Sequence, residues 1–260
     1  MLDRLFRIFV TTGGIILIWA MITWATDLPR FILPGPLLVF ETWFAKFHII
    51  WPHLITTLSE ILLGLLFGIL AGGLSALVIS VHQGVKRWVL PVLIASQAIP
   101  VFAIAPLLVL WFDYGMTSKV VMATLIIYFP VTVGFLDGLN RTSSDWSNMA
   151  GIMQAGSSQS SALKMWRLYR FIKIPFALPS LASGIRVATA VAPIGAVVGE
   201  WVGSSSGLGY LMLHANGRMQ TDLLFAALLT LTLVSISLYY LINYLLVTFL
   251  NWQSEQETLS

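Results

Sequence analysis

The chain has 260 residues, of which 58% are hydrophobic and 10% charged, with a formal charge of +3 and no cysteine. Soluble domains carry roughly a quarter charged residues. At a mean hydropathy of +0.88 this chain cannot cover a water-facing surface, and its medium is lipid. A pI near 9.3 does not make it a nucleic-acid binder, because the basic residues form no tract that would follow phosphates. The missing cysteines exclude disulfide frameworks, thiolate metal sites and cysteine nucleophiles.

A spanning helix takes about 20 mostly apolar residues. On that measure the sequence predicts an all-α integral membrane protein with six spans, at 8–25, 54–80, 88–112, 120–139, 183–202 and 223–250. Arg4 and Arg7 precede the first run as in a signal peptide. Its apolar stretch exceeds the usual run of about 7–15 residues and further spans follow, so it reads as a retained helix. The next stretch, "DLPRFILPGPLLVFETWFAKF", is too polar to span. Pro36 suits the first turn of a short interfacial helix, with Trp43, Phe44, Phe47 and Trp51 as the aromatics of headgroup depth.

In the second span "GLLFGILAGG" places Gly64, Gly68 and Gly72 on one helix face, which lets another helix approach closely. The third span holds Pro91, Pro100 and Pro106, and the fourth Pro130. Each proline removes a backbone donor and frees a carbonyl. Such interruptions line solute paths in transporters, which makes Gln97, Pro100 and Tyr128 candidate pathway residues; a packing kink is the other reading. Glu60 and Glu200 are the acids within or at the edge of spans. A carboxylate there is costly and faces the bundle interior. Glu60 is expected to bond Thr56 or Thr57 one turn earlier, and Glu200 to lie near the wet outer end of its helix, where it joins the pathway candidates.

Orientation follows from the cations. With the N-terminus inside, the cytoplasmic segments hold Arg4, Arg7, Lys86, Arg87, Arg141, Lys164, Arg167, Arg170, Lys173 and Arg186, and the outer ones only Arg30, Lys46, Lys119 and Arg218. That asymmetry predicts both termini in the cytoplasm and makes 140–182 the one long cytoplasmic segment. Its first part, "SSDWSNMAGIMQAG", opens on Ser144 or Asp145 as N-cap and stops at Gly156, so it reads as a short helix. Its second part, "ALKMWRLYRFIKI", sets Lys164, Arg167, Arg170 and Lys173 opposite Met165, Leu168, Tyr169 and Ile172, an amphipathic helix. Pro175 and Pro179 are expected to break the run before the fifth span. The pattern fits either a basic surface helix or a docking surface for a cytoplasmic partner.

The segment from "AGIMQAG" (150–156) to "IKIP" (172–175) and "ALPSLASGIRVA" resembles the cytoplasmic loop of the permease subunits of binding-protein-dependent ABC importers. A register two residues earlier, with Gln154 at the glycine position, is also compatible. "QAIPVFAIAPLLVLWFDYGMTSKVVMATLIIYFPVTVGFLDGL" and "VAPIGAVVGEWVGSSSGLGYLMLHANGRMQTDLLFAAL" are similar to the third-to-fourth and fifth-to-sixth span regions of that family. Within it the chain most resembles the nitrate, sulfonate and taurine branch, and there the permeases for thiamine-precursor hydroxymethylpyrimidines. The resemblance implies one type I ABC importer transmembrane domain over 1–260, in a bacterial inner membrane. Two copies would enclose the path, and an extracytoplasmic solute-binding protein would deliver the cargo. The helix at 146–156 would couple to a separate ATPase through Ala150, Gly151, Ile152, Gln154 and Gly156, with Ile172 and Pro175 in the second part of the motif.

The chain itself has no G-x-x-x-x-G-K-[ST], so ATP and Mg would belong to the partner. His48, His53, His82 and His214 are scattered without metal-ligand spacing, and no metal site or covalent catalysis is expected. A secondary transporter is the rival class. It calls for intramembrane acids and related halves, whereas this sequence has isolated acids and no internal repeat. Small sulfonates or nitrate-like anions are the alternative cargo to a thiamine-precursor pyrimidine.

Overall fold

The computed structural model describes residues 2–141 and 160–252. All regular structure among them is helical: α1 Leu2–Thr26, α2 Pro36–Ala45, α3 Phe47–Val81, α4 Gln83–Ser96, α5 Val101–Phe112, α6 Met116–Asn140, α7 Ser161–Leu168, α8 Ile174–Gly203, α9 Leu208–Gly217 and α10 Thr221–Phe249. In lipid every backbone polar group must be satisfied within the protein, and helices do this locally. The hydroxyls follow the same logic. Thr132, Thr189 and Thr230 donate back to the carbonyls of Tyr128, Ile185 and Ala226, at 2.6–2.8 Å, so they sit in buried apolar helices without an orphaned donor.

Among the described residues four helices are long and apolar enough to cross a membrane: Phe47–Val81, Met116–Asn140, Leu163–Gly203 and Thr221–Phe249. The pair Gly84–Ser96 and Val101–Phe112, bent by 101°, makes a fifth if counted as one span. The apolar part of α1, Val10–Thr26, is shorter than these, so the described residues give four to five spans where the sequence predicts six. The run 88–112 is also not one helix. It breaks at 97–100, where Pro100 cannot donate and is the extended N-cap of α5.

Chain direction settles what the bent pair does. Gly64, Gly68 and Gly72 of α3 meet Ala123, Ile127 and Val131 of α6 in the same order, so α3 and α6 run parallel. At one end Lys119 touches Glu60, and at the other Lys86 Nζ donates to Asn140 Oδ1 at 3.1 Å. The chain therefore leaves α3 at one face and enters α6 at the opposite one. Between them α4–α5 must cross the bundle, because a loop re-entering on its own side would leave α6 antiparallel. α8 then runs antiparallel to α6, its Gly184, Gly195 and Gly199 lying against Pro130, Ala123 and Lys119.

α6 is the centre of the bundle. Its Ala123, Ile127 and Val131 are buried between Ile61 and Leu65 of α3 and Ile185, Ala188, Ala192 and Ala196 of α8. Small residues permit this: a Cβ on Gly64 would come within 2.6 Å of the Ala123 Cβ, and one on Gly195 within 2.7 Å of the Ala123 Cα. Backbones this close gain van der Waals contact that larger side chains would forbid. A second core joins Val39 of α2 and Ile50 of α3 to Leu208, Leu211 and Met212 of α9 and Leu223, Ala226 and Ala227 of α10.

The expected break at Pro175 and Pro179 does not occur. The helix runs unbroken from Leu163 to Gly203, with a π turn at Tyr169–Lys173 directly before Pro175. There the Ile174 N–H donates to the Tyr169 carbonyl, five residues back. The wider turn makes room for the prolyl ring that an α-turn would force into the preceding carbonyl. Pro179 continues as an interior proline of α8.

Candidate translocation site

Two of the residues singled out from sequence come together at the α4–α5 bend. A cleft of about 320 Å³ opens there, lined by Leu93, Ser96 and Gln97 before the break, Ile104 after it, and Leu125 and Tyr128 of α6 among others. Ser96, Gln97 and Tyr128 are its polar members, and among the described residues no charged side chain lines it. The Gln97 amide is 3.4 Å from the Ser96 hydroxyl and exposed, so its hydrogen-bonding capacity is largely free. Pro100 stands at the break itself, three residues after Gln97. The geometry offers an apolar slot with a neutral donor–acceptor rim, suited to a flat polar molecule rather than to an ion.

Glu200 lies elsewhere. It is 1% exposed, so the expectation of a wet carboxylate is overturned. The C-terminal end of α8 turns back through 204–207 into α9, and Glu200 receives that turn. Its Oε2 accepts from the backbone N–H groups of Gly209 and Tyr210, and its Oε1 from the Thr57 hydroxyl at 2.5 Å. The same Thr57 oxygen accepts from Leu208 N at 2.7 Å, and His53 Nδ1 accepts from Gly207 N at 3.0 Å. The orphan N–H groups that open α9 are thus met by side chains of α3 and α8. Glycine is required here: Gly207 has φ +115°, and a Cβ on either Gly207 or Gly209 would run into the Glu200 carboxylate.

Glu60 bonds neither Thr56 nor Thr57. Thr56 donates to the Pro52 carbonyl and Thr57 to Glu200. The Glu60 Oε1 instead stands 2.5 Å from Lys119 Nζ, which also donates to Ser204 Oγ at 3.1 Å. Lys119 was counted with the outer loops, yet it lies in the first turn of α6 and is 4% exposed. Its signal was present in the sequence: a lysine entering one apolar helix, with unpaired acids in two others. Among the described residues no group of three or more His, Asp or Glu could hold a metal ion.

Of the proposed coupling residues, Ala150, Gly151, Ile152, Gln154 and Gly156, with the whole helix at 146–156, lie outside the described residues. Ile172 falls in the π turn and Pro175 at the start of α8. This stretch is pinned to the bundle by Tyr169, whose hydroxyl donates to the Ser80 carbonyl at the end of α3 at 2.9 Å.

A bundle of parallel and antiparallel apolar helices, broken at a proline bend over a cleft, defines a polytopic helical membrane protein. Residues 64–250 match the family described as binding-protein-dependent transport system inner membrane component, and the chain belongs to that family. A probable ABC transporter permease protein of Haemophilus influenzae is 50% identical over 95% of this chain and 98% of its own. The formylaminopyrimidine transport permease protein of Halalkalibacterium halodurans is 36% identical, covering 87% of this chain and 88% of its own. The riboflavin transport system permease protein of Chloroflexus aurantiacus is 35% identical, covering 94% and 89%. The chain is accordingly an ABC importer permease, a transport subunit and not an enzyme, of a family that works with an ATPase and a binding protein.

Proposed function

We propose that this chain, folded as one domain over 1–260, forms half of a homodimeric importer for a thiamine-precursor pyrimidine. In this reading α1 supplies a sixth crossing, both termini face the cytoplasm of a bacterial cell, and α2 and α9 lie at the outer face. Gln97 and Tyr128, with Pro100 holding the bend, line one wall of the path, and a second copy closes it. Glu200 stands behind that wall as the anchor of α9. The ATPase docks on the segment 140–182, with Ala150 to Gly156 entering its groove and Ile172 to Pro175 passing the motion to α8.

The observation that carries the cargo is the lining of the bend cleft. Among the described residues it holds an amide, two hydroxyls and apolar side chains but no cation, which suits a neutral heterocycle better than a sulfonate or nitrate. Two relatives are named for transport of nitrogen heterocycles, formylaminopyrimidine and riboflavin, and support the same class. The test is uptake of labelled hydroxymethylpyrimidine and formylaminopyrimidine by cells that depend on this chain. We expect uptake that taurine and nitrate do not compete and that Gln97→Leu lowers at least several-fold. Gly156→Arg should abolish co-purification of the ATPase while leaving the chain folded. Uptake of an anion in place of the pyrimidines overturns the cargo, and retained co-purification overturns the placement of the coupling helix.

A further inference from the structure

The buried cluster between α3, α6 and α8 does not balance in charge. Glu60 and Glu200 bring two carboxyl groups and Lys119 one ammonium, at 0%, 1% and 4% exposure. The other groups facing them are neutral. Thr57 of α3 and Ser204 beyond α8 contribute hydroxyls, and His53 contributes an Nδ1 that already accepts from Gly207 N. With both acids ionised, one negative charge would be sealed inside an apolar bundle without a counter-ion, among the costliest arrangements in a membrane protein.

The hydrogen bonds fail to balance at the same place. Both Glu200 oxygens are engaged by donors from Thr57, Gly209 and Tyr210. Glu60 Oε1 meets Lys119, but Glu60 Oε2 is buried with no hydrogen-bond partner. Thr57, which donates to Glu200, lies one turn before Glu60 on α3, and Lys119 Nζ bridges Glu60 to Ser204, four residues past Glu200, so the two carboxyl groups belong to one buried cluster in which no donor reaches Glu60 Oε2. Buried polar atoms are rarely left so. A protonated carboxyl supplies one O–H donor and removes one negative charge, which corrects both deficits at once.

We propose that Glu60 and Glu200 share one bound proton, held as an acid-to-carboxylate hydrogen bond that completes the seat of α9. The proton resides on Glu60. Glu200 already accepts from three donors that stabilise its ionised form, whereas Glu60 has only Lys119. With the proton in place the cluster holds one anion and one cation, and the acceptor atoms that fix the 204–209 turn are preserved. Loss of the proton sets two carboxylates against each other beneath Gly207 and Gly209 and loosens α9 from α3.

The full chain in lipid nanodiscs provides the test. At neutral pH its infrared spectrum should show a protonated-carboxyl stretch that exchanges slowly with deuterium and is absent from Glu60→Gln. That variant replaces the acid by an amide of the same shape, which donates to Glu200 and accepts from Lys119. Its unfolding midpoint should stay within a few degrees of wild type at neutral pH. It should then hold flat into the alkaline range, where the wild-type midpoint falls as the proton leaves. Titration of Lys119 instead would lower both proteins together and overturn the assignment. Absence of the carboxyl band in the wild type overturns the proposal outright, whether or not Glu60→Gln folds.

Discussion

At the scale of single residues, the outer turn of the bundle is decided by atoms that the hydropathy pattern passes over. Gly207 adopts a left-handed φ of +115° with its α-hydrogens against the Glu200 carboxylate. Gly207→Ala adds backbone strain of about 1–3 kcal/mol and drives its methyl into the oxygens that hold the Gly209 and Tyr210 N–H groups. Thermal unfolding should show at least that loss. Gly217→Ala, whose Cβ would meet nothing within 4 Å, should stay within about 0.5 kcal/mol of wild type. Lys119→Met leaves the cluster with an uncompensated carboxylate, and breaking such a buried pair costs about 3–5 kcal/mol. A Lys119→Met chain as stable as wild type would mean that the buried lysine charge, which lies against Glu60 and Ser204, contributes nothing to the cluster.

At the scale of elements, α6 is gripped on two sides at one residue, Ala123, by Gly64 of α3 and Gly195 of α8. Gly195→Val should separate α6 from α8 at a cost of about 1–3 kcal/mol, the usual range for overpacking. Gly73→Ala offers the control, because its Cβ points into open space one residue from the packed Gly72. It should be neutral, or gain up to about 1 kcal/mol from better helix propensity. Equal unfolding midpoints for Gly195→Val and wild type would remove the close approach from the account. The glycine face of α3 was legible in the sequence because four-residue spacing marks a helical stripe directly. The partner stripe on α8 was harder to see, since its glycines at 184, 195, 199 and 203 alternate with alanines in an already apolar run. The π turn was not legible at all. Pro175 and Pro179 announce a break, but whether the chain breaks or widens by one residue depends on tertiary contacts such as Tyr169 to the Ser80 carbonyl, which local sequence does not display.

At the scale of the whole molecule, what hydropathy finds is apolar length, and it is blind to direction. It located the runs that became α3, α6 and α10, yet it merged α4 and α5 into one straight span, because a 101° bend at Pro100 does not alter the sum of apolar residues. Chain direction is recovered only from packing, through the parallel course of α3 and α6. That course makes a prediction that a re-entrant α4–α5 loop does not share. The chain contains no cysteine, so a single introduced thiol is the only one a membrane-impermeant reagent can find. Arg87→Cys at the start of α4 and Trp252→Cys beyond α10 should be labelled from one side of the membrane. Tyr114→Cys between α5 and α6, where the side chain is 80% exposed, and Arg218→Cys between α9 and α10 should be labelled from the other. Labelling of Arg87→Cys and Tyr114→Cys from the same side would turn the bent pair into a re-entrant loop. α3 and α6 could not then run parallel through the bundle, and the cleft at Gln97 and Tyr128 would open to one face of the membrane instead of lying along a crossing.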